Sequence, residues 1–252
     1  GAISWIQNAR RLMLVPVSVL GQAAGQATLP FLARLNAEGK TEEAGNVLSD
    51  ALRIVIFATL AASIWMAITS ESIIGLFFER GMFTAADTQA SAAALVLFSI
   101  GIVAWAVQAM ATRGFYAVQD TWTPMLLSSL VAGIAIVIYW YLGQLMGYQG
   151  LALATSIGMG LTGFLTLIVL RRRMPLQIEA LALCFGRSIL VAGLAGGAAW
   201  WSLSGITQSG YFIRLSVSSL VFAVVLAGLA TILKVPEWVV LTSRLRQRFS
   251  RN

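Results

Sequence analysis

The sequence predicts an all-α, polytopic membrane protein with about seven transmembrane helices, and three observations carry that reading. The first is the placement of charge. Asp, Glu, Lys and Arg are bunched, leaving uncharged intervals at 12–33, 54–70, 88–112, 121–170, 188–213 and 215–233. Roughly 17–25 apolar residues cross a bilayer as a helix, so each interval holds a crossing and the longest holds two. The second is composition. The chain is 58% apolar and 11% charged, with mean hydropathy +0.83, against roughly 45–50% and about 25% in ordinary globular domains. The third is continuity. Membrane barrel strands alternate apolar and polar residues over about 10 positions, whereas these runs are unbroken.

Each span follows in order. The first, about 3–32, carries Arg10-Arg11, then Pro16, Gly21, Gly25 and Pro30. Pro16 has no N–H for the carbonyl of Leu12, so the helix bends or opens there. Broken helices at membrane depth are tolerated where protein covers them or a cavity adjoins them. Gly21 and Gly25 stand four apart, a spacing that lets a second helix approach closely. A polar connector follows, in which Thr41 reads as an N-cap with Glu42 and Glu43 in the first turn. The second span is about 52–69. Glu79-Arg80-Gly81 then reads as an outer-loop turn, and Thr84 with Asp87 as a capping box that starts the third span, 88–112.

The inner loop from Arg113 to Pro124 is the most patterned stretch. Thr123-Pro124 suits an N-cap followed by proline at the first helical position. The loop, with Arg113, Gly114, Tyr116 and Asp120, reads as a gating segment rather than a binding site. The fourth and fifth spans, 125–146 and 148–170, part at Gly147-Tyr148-Gln149-Gly150. Arg171-Arg172-Arg173 anchors the fifth on the inner side. The sixth and seventh are about 188–203 and 212–233. In the tail, 235–252, Trp238, Leu241, Leu245 and Phe249 share a stripe, with Arg244, Arg246, Arg248 and Arg251 mostly off it. That pattern predicts a basic amphipathic helix on anionic inner-leaflet lipid.

Topology follows from the basic residues. With the C-terminus cytoplasmic, every Lys and Arg lies inside except Arg80, Arg214 and the Arg10-Arg11 pair. Cytoplasmic loops carry such an excess. The net charge of +7 therefore reflects insertion, and no nucleic-acid partner is expected. The chain opens at Gly1, almost directly on a span, and reads as a piece of a longer protein lacking an upstream part.

Several chemistries are excluded. Histidine is absent and Cys184 is the single cysteine. No His base, His ligand, disulfide or cysteine metal cluster is available, and no metal or cofactor is expected. Enzyme motifs are missing, and all ten acidic residues fall in loops or at span ends. The polar feature that enters the membrane is Arg10-Arg11. An arginine at bilayer depth costs about 2.5–3.5 kcal/mol on insertion scales. Such a pair faces a wet cavity and holds an anion bidentately, or it snorkels to the outer interface.

Three stretches, in order along the chain, resemble the MurJ/MviN family of lipid II flippases in the MOP exporter superfamily. They are Ala9-Arg10-Arg11-Leu12-Met13 with Pro16, Gly21, Ala24, Thr28 and Pro30; Leu76 to Thr84; and Gly114 to Pro124. The resemblance implies a fourteen-helix fold of two lobes around a cationic cavity, of which this chain supplies the C-terminal half. Residues 1–175 would then hold helices of the C-terminal lobe and 176–234 two additional helices. It also implies an activity, flipping undecaprenyl-pyrophosphate-linked peptidoglycan precursor across the bacterial inner membrane. Partners are the lipid-linked glycan, membrane lipids and the missing N-terminal half. The family's functional arginine on the eighth helix matches Arg11. Arg10 stands where relatives often have an acid, adding positive potential. Some relatives place an ion-coupling carboxylate on the helix matching the fourth span, and this chain has none there. The competing readings are a flippase for another lipid-linked oligosaccharide, a transferase acting on polyprenyl phosphate through Asp120, and a non-transporting membrane scaffold.

Overall fold

The computed structural model describes residues 1–206 and 208–249, with side chains described to residue 243. Its elements are α1 (Ala2–Pro16), a π-helical segment (Val17–Gln22), α2 (Ala23–Ala37), α3 (Thr41–Phe78), α4 (Ala85–Ala117), α5 (Trp122–Met146), α6 (Tyr148–Leu170), α7 (Ile178–Ser204), α8 (Tyr211–Ile232) and α9 (Pro236–Phe249). Residues 2–37 run as one helical rod, so among the described residues 7 rods are long and apolar enough to cross a membrane. The first three extend past their uncharged intervals at both ends. Charge marks the hydrocarbon limits of a helix, and backbone hydrogen bonding carries it further into the headgroups. Between α5 and α6 only Gly147 breaks the helix, at φ +58°. The expected four-residue break is thus a single left-handed residue, a conformation that glycine adopts without steric cost.

α4 is the hub. It packs against α1, the π segment, α2, α3 and α6, while α7 and α8 pack on α3. Two apolar clusters fill the seams. One gathers Leu48, Leu52, Met110, Phe115, Leu170 and Met174. The other gathers Ala9, Met13, Val17, Ile74, Leu95 and Phe98. In lipid, burial supplies little drive between helices, so close approach through small residues and interhelical hydrogen bonds matter more. Ser156 on α6 donates to the carbonyl of Leu97 on α4 at 2.7 Å. The exposed faces of α5, α7 and α8 are large and apolar, with Leu126, Ile136, Trp140, Leu190, Leu194 and Val224 turned outward.

Polar knots tie the ends of the rods. Trp5 Nε1 donates to Asp87 at 2.8 Å. Arg214 on α8 meets Glu71 on α3 at 3.2 Å. The buried Glu237 of α9 accepts from Arg53 Nε at 2.8 Å and lies 2.7 Å from its Nη2.

Two local expectations are corrected. Thr41 is the first helical residue of α3, following Lys40 without a side-chain cap. Thr123 does not cap the following helix, because α5 already begins at Trp122. The apolar stripe of the tail begins by packing on protein. Trp238 and Leu241 lie against Phe57, Val191 and Ala230, and Trp238 Nε1 donates to Thr231 at 3.0 Å. The side chains of Arg244, Leu245, Arg246, Arg248 and Phe249, and the whole of Arg251, lie outside the described residues. The Thr84–Asp87 capping box forms as read.

Candidate functional site

The first rod opens where Pro16 predicts. From Val17 to Gln22 the helix widens to the π form, and the Ala23 N–H donates five residues back, to Ser18. The Ser18 hydroxyl donates to the Leu14 carbonyl at 2.7 Å. Proline removes one donor, and a wide turn follows it with a hydroxyl bonded back to the ladder. Pro30 is exposed within α2. Near it the Thr28 hydroxyl donates to Ala24 at 2.8 Å.

Gly21 and Gly25 form the seam with α4. A β-carbon at Gly21 would lie 2.8 Å from Cα of Ala106. At Gly25 it would lie 3.1 Å from the Arg113 side chain. These glycines are a packing surface, and the opposite face of the rod is left free.

Arg10 and Arg11 part company. Arg10 helps line a cavity of about 560 Å³ among α1, α4, α5 and α6, with Gln108, Ser128, Tyr139, Thr155 and Thr162. The Tyr139 and Thr155 hydroxyls share a hydrogen bond at 2.8 Å. Among the described residues no carboxylate lines this cavity. Arg11 is exposed on a different face. Neither arginine has a carboxylate partner among the described residues. The pair read as one site in the sequence is two sites in the structure. A second cavity, about 910 Å³ and strongly apolar, lies among α3, α4, α6 and α7, with Val103, Phe164, Leu167 and Phe185 on its walls and Arg171 at its margin.

The motif loops resolve into structural joints. Glu79 ends α3, and its Oε2 accepts from Thr88 at 2.6 Å and from Tyr211 at 2.9 Å. One carboxylate thereby joins α3, α4 and α8. Arg80 is exposed, and Gly81 takes φ +61° in the turn. On the other side of the molecule, Arg113 lies over the Tyr116 ring at 5.7 Å. Gly114 is buried between Leu48 and Leu170. Asp120 accepts from the Thr123 N–H at 3.0 Å and from its hydroxyl at 2.7 Å. These bonds, with a smaller contribution from Arg173 at 3.7 Å, hold the Asp120 carboxyl below its ordinary range. Asp120, one residue before the N-cap Thr121, therefore satisfies a first-turn N–H of α5, its cation is Arg173, and Pro124 sits buried two residues into the helix.

Sequence reasoning missed the company that Arg11 keeps. Ser4, Gln7, Arg11, Val15, Ser18, Gln22 and Gln26 are all exposed. Their spacing of three or four residues puts them on one face. The polar residues among them were the available signal.

Rods with apolar outer faces, a polar face on one of them and cavities between them define a multi-pass α-helical membrane protein. Residues 1–235 match the family model described as lipid II flippase MurJ. Among curated proteins, "Probable lipid II flippase MurJ" of Rhizobium tropici is 32% identical over 173 residues, which is 69% of this chain and 32% of that protein. The Haemophilus influenzae protein of the same description is 28% identical over 239 residues, 91% of this chain and 46% of that one. A solved structure, lipid II flippase MurJ in an inward closed conformation, shares the fold with TM-score 0.71 at 22% identity. It covers 92% of this chain and 48% of its own. The chain belongs to the MurJ lipid II flippase family, and it spans less than half the length of these relatives. That coverage agrees with one half of a fourteen-helix transporter.

Proposed function

We propose that this chain is the C-terminal half of a flippase. Its parent carries undecaprenyl-pyrophosphate-linked peptidoglycan precursor, lipid II, from the inner to the outer leaflet of the bacterial cytoplasmic membrane. One observation supports this most directly. Arg11 stands exposed, without a carboxylate partner among the described residues, on a polar face of a proline-broken span. A pyrophosphate cannot enter hydrocarbon unaided, and a guanidinium in a partly desolvated cavity offsets that cost while pairing bidentately. Arg10 adds positive potential from the neighbouring cavity. The lipid tail stays in the bilayer while the headgroup moves past these groups, and rocking of one lobe against the other exposes the path to each side in turn.

Residues 1–175 act as the lobe, 176–234 as two added helices and 235–252 as a cytoplasmic tail. The excess of basic residues on one side supports a C-terminus inside. Asp120 is committed to capping α5, which favours transport over the transferase reading. The carboxylate-free cavity beside α5 favours a driving force other than cation binding in this half.

The test is reconstitution of the full-length parent in vesicles holding lipid II. Translocation that falls at least tenfold in Arg11→Ala, with insertion unchanged, supports the reading. A parent that neither binds nor moves lipid II contradicts it.

A further inference from the structure

α6 packs on α4 and α7 packs on α3, but α6 and α7 do not pack on one another among the described residues. The cleft between them, floored by α3 and α4, is the apolar cavity of about 910 Å³. Its rim is open, with Phe164 on α6 62% exposed and Phe185 on α7 43% exposed. A β-carbon at Gly160 would meet nothing within 4 Å. The lining runs from Arg171 on α6 and Ile178 on α7 at one end to Gly160 and Ile189 at the other. At about 1.5 Å per residue that height is roughly 16 Å. The hydrocarbon core measures roughly 30 Å, so the cleft is one leaflet tall. Ordered water needs several polar partners, which these aliphatic and aromatic walls do not offer. Charge sits at one end only. Arg171 is the one charged residue on the walls among the described residues. It is exposed and has no carboxylate partner among the described residues. Glu179, in the first turn of α7, is not part of the lining. The connector that carries Arg171 is fixed in place. Met174 is fully buried, and the Gln177 N–H donates to the Ser49 hydroxyl on α3 at 3.1 Å.

We infer that this cleft binds an anionic glycerophospholipid of the cytoplasmic leaflet, with an acyl chain between α6 and α7 and the phosphate on Arg171. The inference rests on the inner placement of the Arg171 end proposed above, and not on lipid II transport. A guanidinium pairs bidentately with a phosphate, and a lipid of that leaflet brings its phosphate to the interface with its chains at the depth of the cleft. The acyl chain ends where the walls end. A further transmembrane helix needs about 30 Å of wall, twice what the cleft provides. An undecaprenyl tail far outreaches one leaflet, and no residue of the first rod, which carries Arg11, lines the cleft. The bound lipid has a structural consequence. Among the described residues α7, α8 and α9 meet the preceding helices only at α3. A chain wedged between α6 and α7 supplies a second junction.

The experiment uses the full-length parent, delipidated in detergent, with phosphatidylglycerol as the anionic probe and phosphatidylcholine as the zwitterionic one. Binding is read by native mass spectrometry. Phosphatidylglycerol is expected to bind at least about tenfold more tightly than phosphatidylcholine. Arg171→Ala is expected to weaken phosphatidylglycerol about tenfold, the loss of one charge-assisted pair, and Arg172→Ala to leave it unchanged. Gly160→Phe, which fills the open end of the cleft, is expected to remove the bound lipid. A second measurement leaves the cleft intact. A photoreactive phenylalanine analogue in place of Phe185 is expected to crosslink phosphatidylglycerol beyond its share of a mixed membrane. The same group in place of Leu220, 67% exposed on α8, is expected to crosslink it only in proportion. Equal weakening by Arg171→Ala and Arg172→Ala overturns the inference, because binding is then general attraction to a basic surface. So does lipid retained by a folded Gly160→Phe, or crosslinking at 185 no greater than at 220. Preferential crosslinking at 185 to added undecaprenyl phosphate, or to a second copy of the chain, assigns the cleft to that occupant and overturns it as well.

Discussion

Neighbouring side chains on a helix point about 100° apart, and Arg10 and Arg11 show what that rotation does. Arg10 turns toward the cavity lined by Tyr139 and Thr155, and Arg11 toward the polar face with Gln22. The sequence shows two arginines near one end of a span, but their separate surroundings depend on where α4, α5 and α6 lie. Asp120 makes a similar point. Its bonds to Thr123 are three residues away and readable, whereas its cation, Arg173, arrives from the far end of α6. That pair is long, at 3.7 Å, and its arginine is exposed, so it contributes little. The cap contributes more, so Asp120→Ala should cost about 1 kcal/mol, seen as a lower unfolding midpoint in detergent. The pH dependence has a definite sign. A carboxyl held below its ordinary value of 3.8 stabilises fully above that value and loses the effect as pH falls through the lowered one. The gap between parent and variant should be constant near neutrality and narrow in acid. A gap that widens in acid would assign the stability to another group.

Among the elements, the first rod carries most of the account. Its proline, its paired glycines and its arginines were legible, because each acts through its own backbone or through spacing. The π segment's bounds and the choice of α4 as the glycines' partner were not, since no local signal names a helix more than eighty residues away. The contacts of the tail were not legible for the same reason. Trp238 has the periodicity of a lipid-facing residue, yet a hydroxyl on α8 and a ring on α3 are within reach. Glu237, which no local pattern singles out, fixes the start of α9 on Arg53. Gly21 offers a direct check on the seam. The nearest atom to an added β-carbon is backbone, at 2.8 Å, so α4 itself must shift. Gly21→Leu should destabilise by about 1–3 kcal/mol, read as lost thermal resistance after extraction. Gly228→Ala on α8, where nothing lies within 4 Å, should be neutral. Equal behaviour of the two would mean that the first rod does not pack on α4 through its glycines.

Across the whole molecule, the number of crossings and their order were readable because lipid imposes a length and excludes charge. The assembly of those crossings was only partly readable. Its long-range ties, Trp5 to Asp87, Glu79 to Tyr211 and Arg53 to Glu237, join residues whose partners the sequence does not announce. One polar face of the first rod has no side-chain tie to another helix among the described residues, and that face carries Arg11. The central claim is that Arg11 works on a lipid-linked pyrophosphate in the intact transporter. The most direct measurement is complementation in bacteria depleted of their own lipid II flippase, comparing the full-length parent with its Arg11→Ala variant at equal membrane levels. The account predicts that the parent restores growth and the variant does not. Growth restored equally by both, or by neither despite normal insertion, would contradict it.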